Sequence, residues 1–238
     1  YDLMHSRRMM PSNNFRETQF AGAEKLNAWH YREKFGFNEA GCGSCNILCR
    51  KIAEDGRSIP EFDTMSHFSA LIENRDIDLV MEAESFCSNH GLDRISAAAA
   101  IACYMEIKGI KPGYINILKL LHDIDSSTGD GDLLKLGSKR LAAFLGKPDA
   151  SVSVKGLDLP ALDPRGAYGV SLSYAVSTRG GDHLHAFPVT HEILRKPVAT
   201  DRFSFSGKAR IIRIAEDMYA AADSAGINVI RIKYTYVI

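Results

Sequence analysis

The stretch DIDLVMEAESFCSNHGLDRISAAAAIAC, residues 76–103, contains two consecutive helix patterns separated by a short turn. Asp76 is a good N-cap for the first helix, since a side-chain oxygen there can accept a free backbone N–H. Gly91 is a good stop, because glycine readily adopts the left-handed conformation that ends many helices. Asp93 or Ser96 can start the second helix, whose inner side is rich in alanine. The stretch therefore predicts two closely packed helices in a mainly α-helical protein.

The rest of the chain repeats this pattern of helix starts, apolar faces and helix stops. Further helices are expected over residues 19–34, 112–121, 134–145, 163–177 and 207–222, with Pro112 and Pro164 as first-turn prolines. Residues 41–64 are expected to be irregular, residues 148–163 extended and residues 229–238 a strand. The extended segment predicts a boundary near residue 150. It separates one helical domain, residues 1–150, from a second and incomplete one, residues 151–238.

Composition excludes several classes of protein. The chain has 238 residues, is 45% hydrophobic and 24% charged, and has a formal net charge of zero. Such a balance is ordinary for a globular protein and does not indicate binding to nucleic acid or to an anionic membrane. Its apolar runs are too short to span a bilayer, and it shows no signal peptide, so we expect a cytoplasmic protein. Because it begins at Tyr1, we also expect a fragment of a longer protein.

Three of the five cysteines lie in the segment GCGSCNILC, residues 41–49. The spacing C-x2-C-x3-C on a turn can direct Cys42, Cys45 and Cys49 to one point, as the ligands of an iron–sulfur cluster or of structural zinc. Three free thiols are the remaining alternative. A [4Fe–4S] cluster is favoured but needs a fourth ligand, and Cys87 and Cys103 lie on apolar helix faces, where buried cysteine is the usual role.

Several further motifs occur together with the cysteine loop in one order along the chain. They are Gly91-Leu92-Asp93, Gly131-Asp132-Leu133-Leu134 with Lys139-Arg140, Lys155-Gly156, Asp163-Pro164-Arg165-Gly166, Arg179-Gly180 with His183-Leu184, and Asp223-Ser224-Ala225-Gly226. In this order the chain resembles the C-terminal helical domains of the aldehyde ferredoxin oxidoreductase family. The resemblance extends over nearly the whole chain.

The resemblance implies an architecture and a function. In this family two mainly helical domains pack against an N-terminal domain that holds most of a tungsten (or molybdenum) bis-pterin cofactor, and that domain is missing here. The family oxidises an aldehyde substrate to a carboxylic acid, and a [4Fe–4S] cluster passes the electrons to ferredoxin. A homodimer is compatible with the family. We expect the chain to be inactive without the missing N-terminal cofactor domain.

The resemblance also implies roles for individual residues. His183 corresponds to a histidine near the metal, and Asp63, or Glu61 beside it, to an active-site carboxylate. Gly91 and Asp93 correspond to the first pterin-contacting motif. Asp223 and Gly226 correspond to the second pterin-contacting motif, and Glu82 to a ligand of a metal between subunits. From the residues alone, Asp93 and Asp223 can equally be helix caps, and Glu61, Asp63, Glu82 and His183 solvated or structural side chains.

Two departures from the family pattern bear on function. Asn228 stands where the family has its fourth cluster cysteine, and Ser88 stands where the first pterin motif has its leading aspartate. An amide is a poorer iron ligand than a thiolate. Two other functions therefore remain open. One is a non-catalytic iron–sulfur module for electron transfer or assembly, and the other is a helical structural domain with a zinc site.

Overall fold

The computed structural model describes residues 1–43, 45, 47–113 and 115–228, and this part of the chain is mainly α-helical, as predicted. Its α-helices are α1 (Asp2–Ser6), α2 (Ala28–Phe35), α3 (Phe62–His67), α4 (Ile77–His90), α5 (Arg94–Lys108), α6 (Ile117–Ser126), α7 (Gly131–Leu134), α8 (Gly137–Phe144), α9 (Tyr168–Val176), α10 (Val189–Glu192) and α11 (Lys208–Ser224). Short 3₁₀ turns span Ala23–Lys25, Ala70–Ile72, Pro148–Ala150 and Pro164–Gly166.

Helices α4 and α5 form the corner that the sequence predicts. The Asp76 side chain accepts the Asp78 N–H at 2.9 Å and begins α4, and Gly91, with φ 67°, ends it. The Asp93 side chain accepts the Ser96 N–H at 2.7 Å and begins α5. Helix α5 is largely buried and packs against α3, α6, α7 and α8, so its small side chains do permit close packing.

One hydrophobic cluster forms most of the core and continues across residue 150. It includes Leu121 and Leu141 from the first part of the chain and Leu162 and Tyr174 from the second. A smaller cluster joins Ala186 to the inner face of α11 through Ile212, Ala215 and Tyr219. The division into two domains near residue 150 stays a prediction.

Two short antiparallel hairpins interrupt the helices. Strands β1 (Phe37–Ala40) and β2 (Arg50–Ala53) pair with Phe37 opposite Ala53, and the cysteine loop connects them. Strands β3 (Ser153–Val154) and β4 (Leu157–Asp158) pair within the segment that was predicted to be extended. The prediction that residues 41–64 are irregular was wrong for β2 and for the start of α3. Strand β2 forms because it pairs with β1, a pairing that local propensity does not indicate.

Several helix starts differ from their predicted positions. Helix α2 begins at Ala28, where Asn27 caps the His30 N–H at 3.2 Å, rather than near residue 19. Helix α6 begins at Ile117, capped by Asn116, so Pro112 lies outside it. In both cases an asparagine whose side chain accepts a free N–H decides the boundary.

Two further helices also differ from their predictions. The helix predicted over 134–145 is divided between α7 and α8 by Gly137, whose φ is 73°. The helix predicted over 163–177 begins as a 3₁₀ turn. The strand predicted over 229–238 lies outside the described residues. None of the described helices has the length and apolar character needed to cross a bilayer.

Candidate active site and cysteine loop

Asp63 and His183, which are far apart in the sequence, lie side by side in the fold. Asp63 is in the first turn of α3, and its Oδ1 accepts the Ala161 N–H at 2.8 Å. Its Oδ2 lies 3.4 Å from Nε2 of His183. Both side chains are largely but not fully covered, with 25% and 18% of their surfaces exposed. A carboxylate beside an imidazole in a partly covered site can hold a proton and pass it on.

The segment around His183 is held in place by its neighbours. The buried Asp182 accepts the Leu184 N–H at 2.7 Å and pairs with Arg179 at 2.8 Å. Gly180 and Gly181 lie directly on the β3–β4 hairpin, where a Cβ at Gly181 would be 2.6 Å from the Leu159 side chain. The glycines thus allow the His183 segment to approach the residues that follow β4.

A buried apolar wall lies on the other side of His183. Leu162, Val170, Tyr174, Phe187 and Val189 line a narrow crevice together with His183. The Tyr174 hydroxyl donates to the Leu162 carbonyl at 3.0 Å. Burial raises the pKa of Tyr174 well above its usual value, so this phenol stays neutral and serves as a fixed hydrogen-bond donor. His183 therefore lies next to both the Asp63 carboxylate and this apolar wall.

His67, four residues after Asp63 at the end of α3, is fully buried. Its Nδ1 is 2.9 Å from the Asp63 carbonyl oxygen, and its Nε2 is 3.2 Å from the Leu159 carbonyl oxygen. Burial lowers the pKa of His67, although the Asp63 carboxylate acts in the opposite direction. Sequence reasoning missed this residue, since nothing in the local sequence around a histidine indicates a long-range contact.

Glu61, the other candidate carboxylate, is placed differently. It is the exposed N-cap of α3, and its side chain makes no capping hydrogen bond. Its carbonyl oxygen accepts the Met65 N–H at 2.9 Å. Of the two candidates, Asp63 is therefore the one whose side chain faces His183.

The three clustered cysteines lie on the exposed loop between β1 and β2. Cys42 and Cys49 are exposed, Cys45 is half-buried, and all three are free thiols. The Cys45 N–H donates to the Cys42 carbonyl at 3.0 Å, which forms a tight turn. In the part of the chain that the structure describes, no group of three or more His, Cys, Asp or Glu side chains is arranged to hold a metal ion. The donor chemistry suits an iron–sulfur cluster, and the ligand role of these cysteines stays a prediction.

Cys87 and Cys103 are fully buried, as expected from their apolar helix faces. Burial raises the pKa of each thiol to about 12. A thiol with so high a pKa is neutral at physiological pH and is a poor metal ligand. Both cysteines therefore act as small core side chains.

The first predicted pterin motif forms the α4–α5 corner. Gly91 and Asp93 are exposed, and the Asp93 side chain is the cap of α5. Nearby, Arg94 pairs with the buried Glu84 at 2.8 Å and donates to the Ser88 hydroxyl at 2.8 Å. Ser88, which replaces the motif's aspartate, is thus part of a hydrogen-bonded network at this corner.

The second predicted pterin motif lies at the end of α11. Asp223 is in the last turn of this helix rather than capping a following one, so the alternative reading of Asp223 as a cap was wrong. Its carbonyl accepts the N–H of Gly226, whose φ of 72° ends the helix. The exposed carboxylates of Asp93 and Asp223 are accessible acceptors, which suits the amino groups of a pterin. Pterin contact at both motifs stays a prediction, as does the role of Glu82, which is exposed on α4.

Comparison with known proteins agrees with these motifs. A family model described as aldehyde ferredoxin oxidoreductase, domains 2 and 3, matches residues 1–232. The tungsten-containing aldehyde ferredoxin oxidoreductases of Pyrococcus furiosus and Thermococcus kodakarensis are 30% and 29% identical to the chain, and each match covers 95% of it. The chain spans 41% of the length of each of these relatives. The resemblance is confirmed, and the chain belongs to the aldehyde ferredoxin oxidoreductase family, in the part that forms its second and third domains.

Proposed function

We propose that this chain is the helical part of an oxidoreductase that oxidises aldehydes, or related carbonyl compounds, to carboxylic acids. The enzyme would use a tungsten (or molybdenum) bis-pterin and a [4Fe–4S] cluster, and it would pass electrons to ferredoxin in the cytoplasm. The observation that carries the proposal is the approach of Asp63 to His183 at 3.4 Å beside an apolar wall. Family membership supports the same reaction, because the relatives are named for it.

The reaction requires proton transfer as well as oxidation. An aldehyde and one water become a carboxylic acid, with release of two electrons and two protons. When bound, the metal–pterin group supplies the two-electron acceptor. The protein's own residues supply proton acceptors, and the Asp63–His183 pair has the chemistry for this because carboxylate and imidazole side chains commonly accept and donate protons in enzymes.

The surroundings of the pair suit that task. The Ala161 N–H donates to Asp63 Oδ1, which leaves Oδ2 directed at His183. The Asp63 carboxylate lies at Nε2, on the edge of the His183 ring, and can fix the orientation of the ring. The neighbouring apolar residues, among them Phe187 and Val189, pack closely around His183 and would exclude bulk water from it.

Cys42, Cys45 and Cys49 would hold three corners of the cluster, since a cubane takes one thiolate for each iron. Asn228 would face the fourth corner and would bind iron weakly. Metal content separates this proposal from the two other functions. Tungsten with iron supports the oxidoreductase, iron alone supports the electron-transfer or assembly module, and zinc alone supports the structural domain.

The test uses the full-length protein that contains this chain, purified without oxygen from cells grown with tungstate. We expect aldehyde-dependent reduction of a viologen dye, and a fall in kcat of about 10²-fold or more in Asp63→Asn and in His183→Gln. The matched control is His191→Gln, because Nδ1 of His191 lies 2.9 Å from the Val198 carbonyl oxygen, outside the Asp63–His183 pair. Variants of Asp63 and His183 that keep the parent kcat would remove the pair from the reaction.

The 238-residue chain by itself provides a second test. We expect no aldehyde oxidation from it, because the chain spans only 41% of the length of its relatives. Turnover by the isolated chain would show that the rest of the enzyme is not needed, and the proposed division of labour would be wrong.

A further inference from the structure

His67 and residues 159–161 connect the backbone carbonyl of Asp63 with the Asp63 side chain through a series of polar contacts. One side of the histidine meets the Asp63 carbonyl, within the same helix, and the other meets the Leu159 carbonyl, from the segment after β4. Two residues further along, the Ala161 N–H returns to the Asp63 side chain. Pro160, between them, has no N–H and cannot make this contact itself. Helix α3 and residues 159–161 are therefore joined at two points, through His67 and through Asp63.

Because His67 is completely buried, its two ring nitrogens depend on protein groups for hydrogen bonding. A buried ring nitrogen without a partner is costly, and both nitrogens of His67 face backbone oxygens. A neutral imidazole has one N–H and donates to one carbonyl at a time, whereas the protonated ring donates to both. The contact with the Leu159 carbonyl is a hydrogen bond when Nε2 carries a hydrogen, as it does in one neutral tautomer and in the protonated ring.

We propose that His67 is a positioning residue for the Asp63–His183 pair, and that it acts through its contact with Leu159. By holding residues 159–161 against α3, it keeps the Ala161 N–H on Asp63 Oδ1, and so keeps Oδ2 directed at His183. The inference rests on the function proposed above for the pair. Displacement of a reacting group by about 1 Å can lower a rate by up to about 10²-fold, so a residue that only fixes geometry can have a large effect.

Two amide substitutions at His67 can each retain a different one of its two contacts. In Asn the side-chain nitrogen lies as far from Cβ along the chain as Nδ1 does, so His67→Asn can keep the contact with Asp63 and loses the one with Leu159. In Gln the nitrogen lies as far out as Nε2, so His67→Gln can keep the contact with Leu159. We expect His67→Asn to lower kcat about tenfold or more, with little change in KM, and His67→Gln to stay within about twofold of the parent.

A double-mutant cycle tests whether His67 acts through Asp63. In the full-length enzyme, His67→Asn should have little further effect on kcat when Asp63 is already Asn, since residues that act through one another are not additive. The control is Ile124→Val, a core truncation on α6, whose effect should be the same in both backgrounds.

A second measurement does not depend on activity. The Ala161 amide should exchange its hydrogen about tenfold faster in His67→Asn than in the parent or in His67→Gln, because its acceptor has moved. The Leu120 amide, which donates to Asn116 within α6 at 3.1 Å, is the internal reference and should not change.

The possible outcomes are distinct. If Asp63→Asn leaves kcat unchanged, the function proposed for the pair is wrong. If Asp63→Asn lowers kcat but the Asn and Gln variants of His67 behave alike, or their effects add to that of Asp63→Asn, His67 is only a packing residue. Unchanged exchange at Ala161 in His67→Asn would also overturn the inference.

Discussion

Replacement of Lys208 by methionine should destabilise the protein strongly. Lys208 is at the start of α11, and its side chain is only 3% exposed. Its ammonium group donates to Glu192 Oε1 at 2.6 Å, to the Asp201 carbonyl at 2.7 Å and to the Thr200 hydroxyl at 3.2 Å. These contacts use all three of its N–H donors. Methionine can fill most of the same space but can make none of them.

The size of the destabilisation follows from the burial of Glu192, the partner of Lys208. The Glu192 side chain is 1% exposed, and after the substitution the Gly169 N–H, at 2.8 Å, would be the remaining partner of Oε1 among residues 1–228 as described. Removing one partner of a buried ion pair typically costs about 3–5 kcal/mol, because the other charge is left without compensation. For a chain of this length each kcal/mol corresponds to about 2–4 °C in Tm, so we expect Tm to fall by at least about 6 °C.

The assay is urea denaturation followed by circular dichroism, which measures the free energy of unfolding. The matched control is Lys34→Met, because Lys34 pairs with Asp78 on the surface and both side chains are about half exposed. An exposed pair contributes less than about 1 kcal/mol. If the two methionine variants lose similar stability, or if Lys208→Met loses less than about 1 kcal/mol, the reasoning about the buried pair is refuted.

Other predictions concern a glycine, a buried acid and the cluster. Gly131→Ala should cost at least about 2 kcal/mol in urea denaturation, since its Cβ would lie 1.8 Å from the Asp123 carbonyl oxygen; a loss below about 0.5 kcal/mol would contradict this. Burial raises the pKa of Asp158 to about 6. The contribution of Asp158 to the free energy of unfolding should therefore fall by about 1–3 kcal/mol from pH ~4 to pH ~7. This fall should be absent in Asp158→Asn. Asn228→Cys, reconstituted anaerobically, should retain about four irons more firmly than the parent; equal iron retention would remove residue 228 from the ligand position.

The sign of the Asp158 effect follows from the direction of the shift. The usual carboxyl pKa is about 4, and burial favours the neutral form in the folded protein. The neutral carboxyl therefore stabilises the fold fully below pH ~4, and this contribution is lost as the pH rises through about 6. The Ser138 hydroxyl, which donates to Asp158, acts in the opposite direction and limits the shift.

Helix boundaries show how far local chemistry can be read from the chain. Asp76 and Gly91 were correctly predicted as cap and stop, because each acts on backbone groups within a few residues of itself. Of the two predicted starts of α5, Asp93 and Ser96, the structure has Asp93 as the cap. The start of α6 was misplaced, since Pro112 and Asn116 both allow a helix to begin and the choice depends on packing. The β1–β2 hairpin was missed for a similar reason, as its pairing joins residues on either side of the cysteine loop.

The amino-acid sequence by itself determined the mainly helical fold and the family, because helix caps, apolar periodicity and the order of short motifs can all be read along the chain. It also marked Asp63 and His183 as candidates. Only the tertiary structure decided that Asp63 rather than Glu61 faces His183, and that His67 joins α3 to Leu159. These contacts join residues separated by long stretches of chain, and their geometry depends on how the whole core packs rather than on any local pattern.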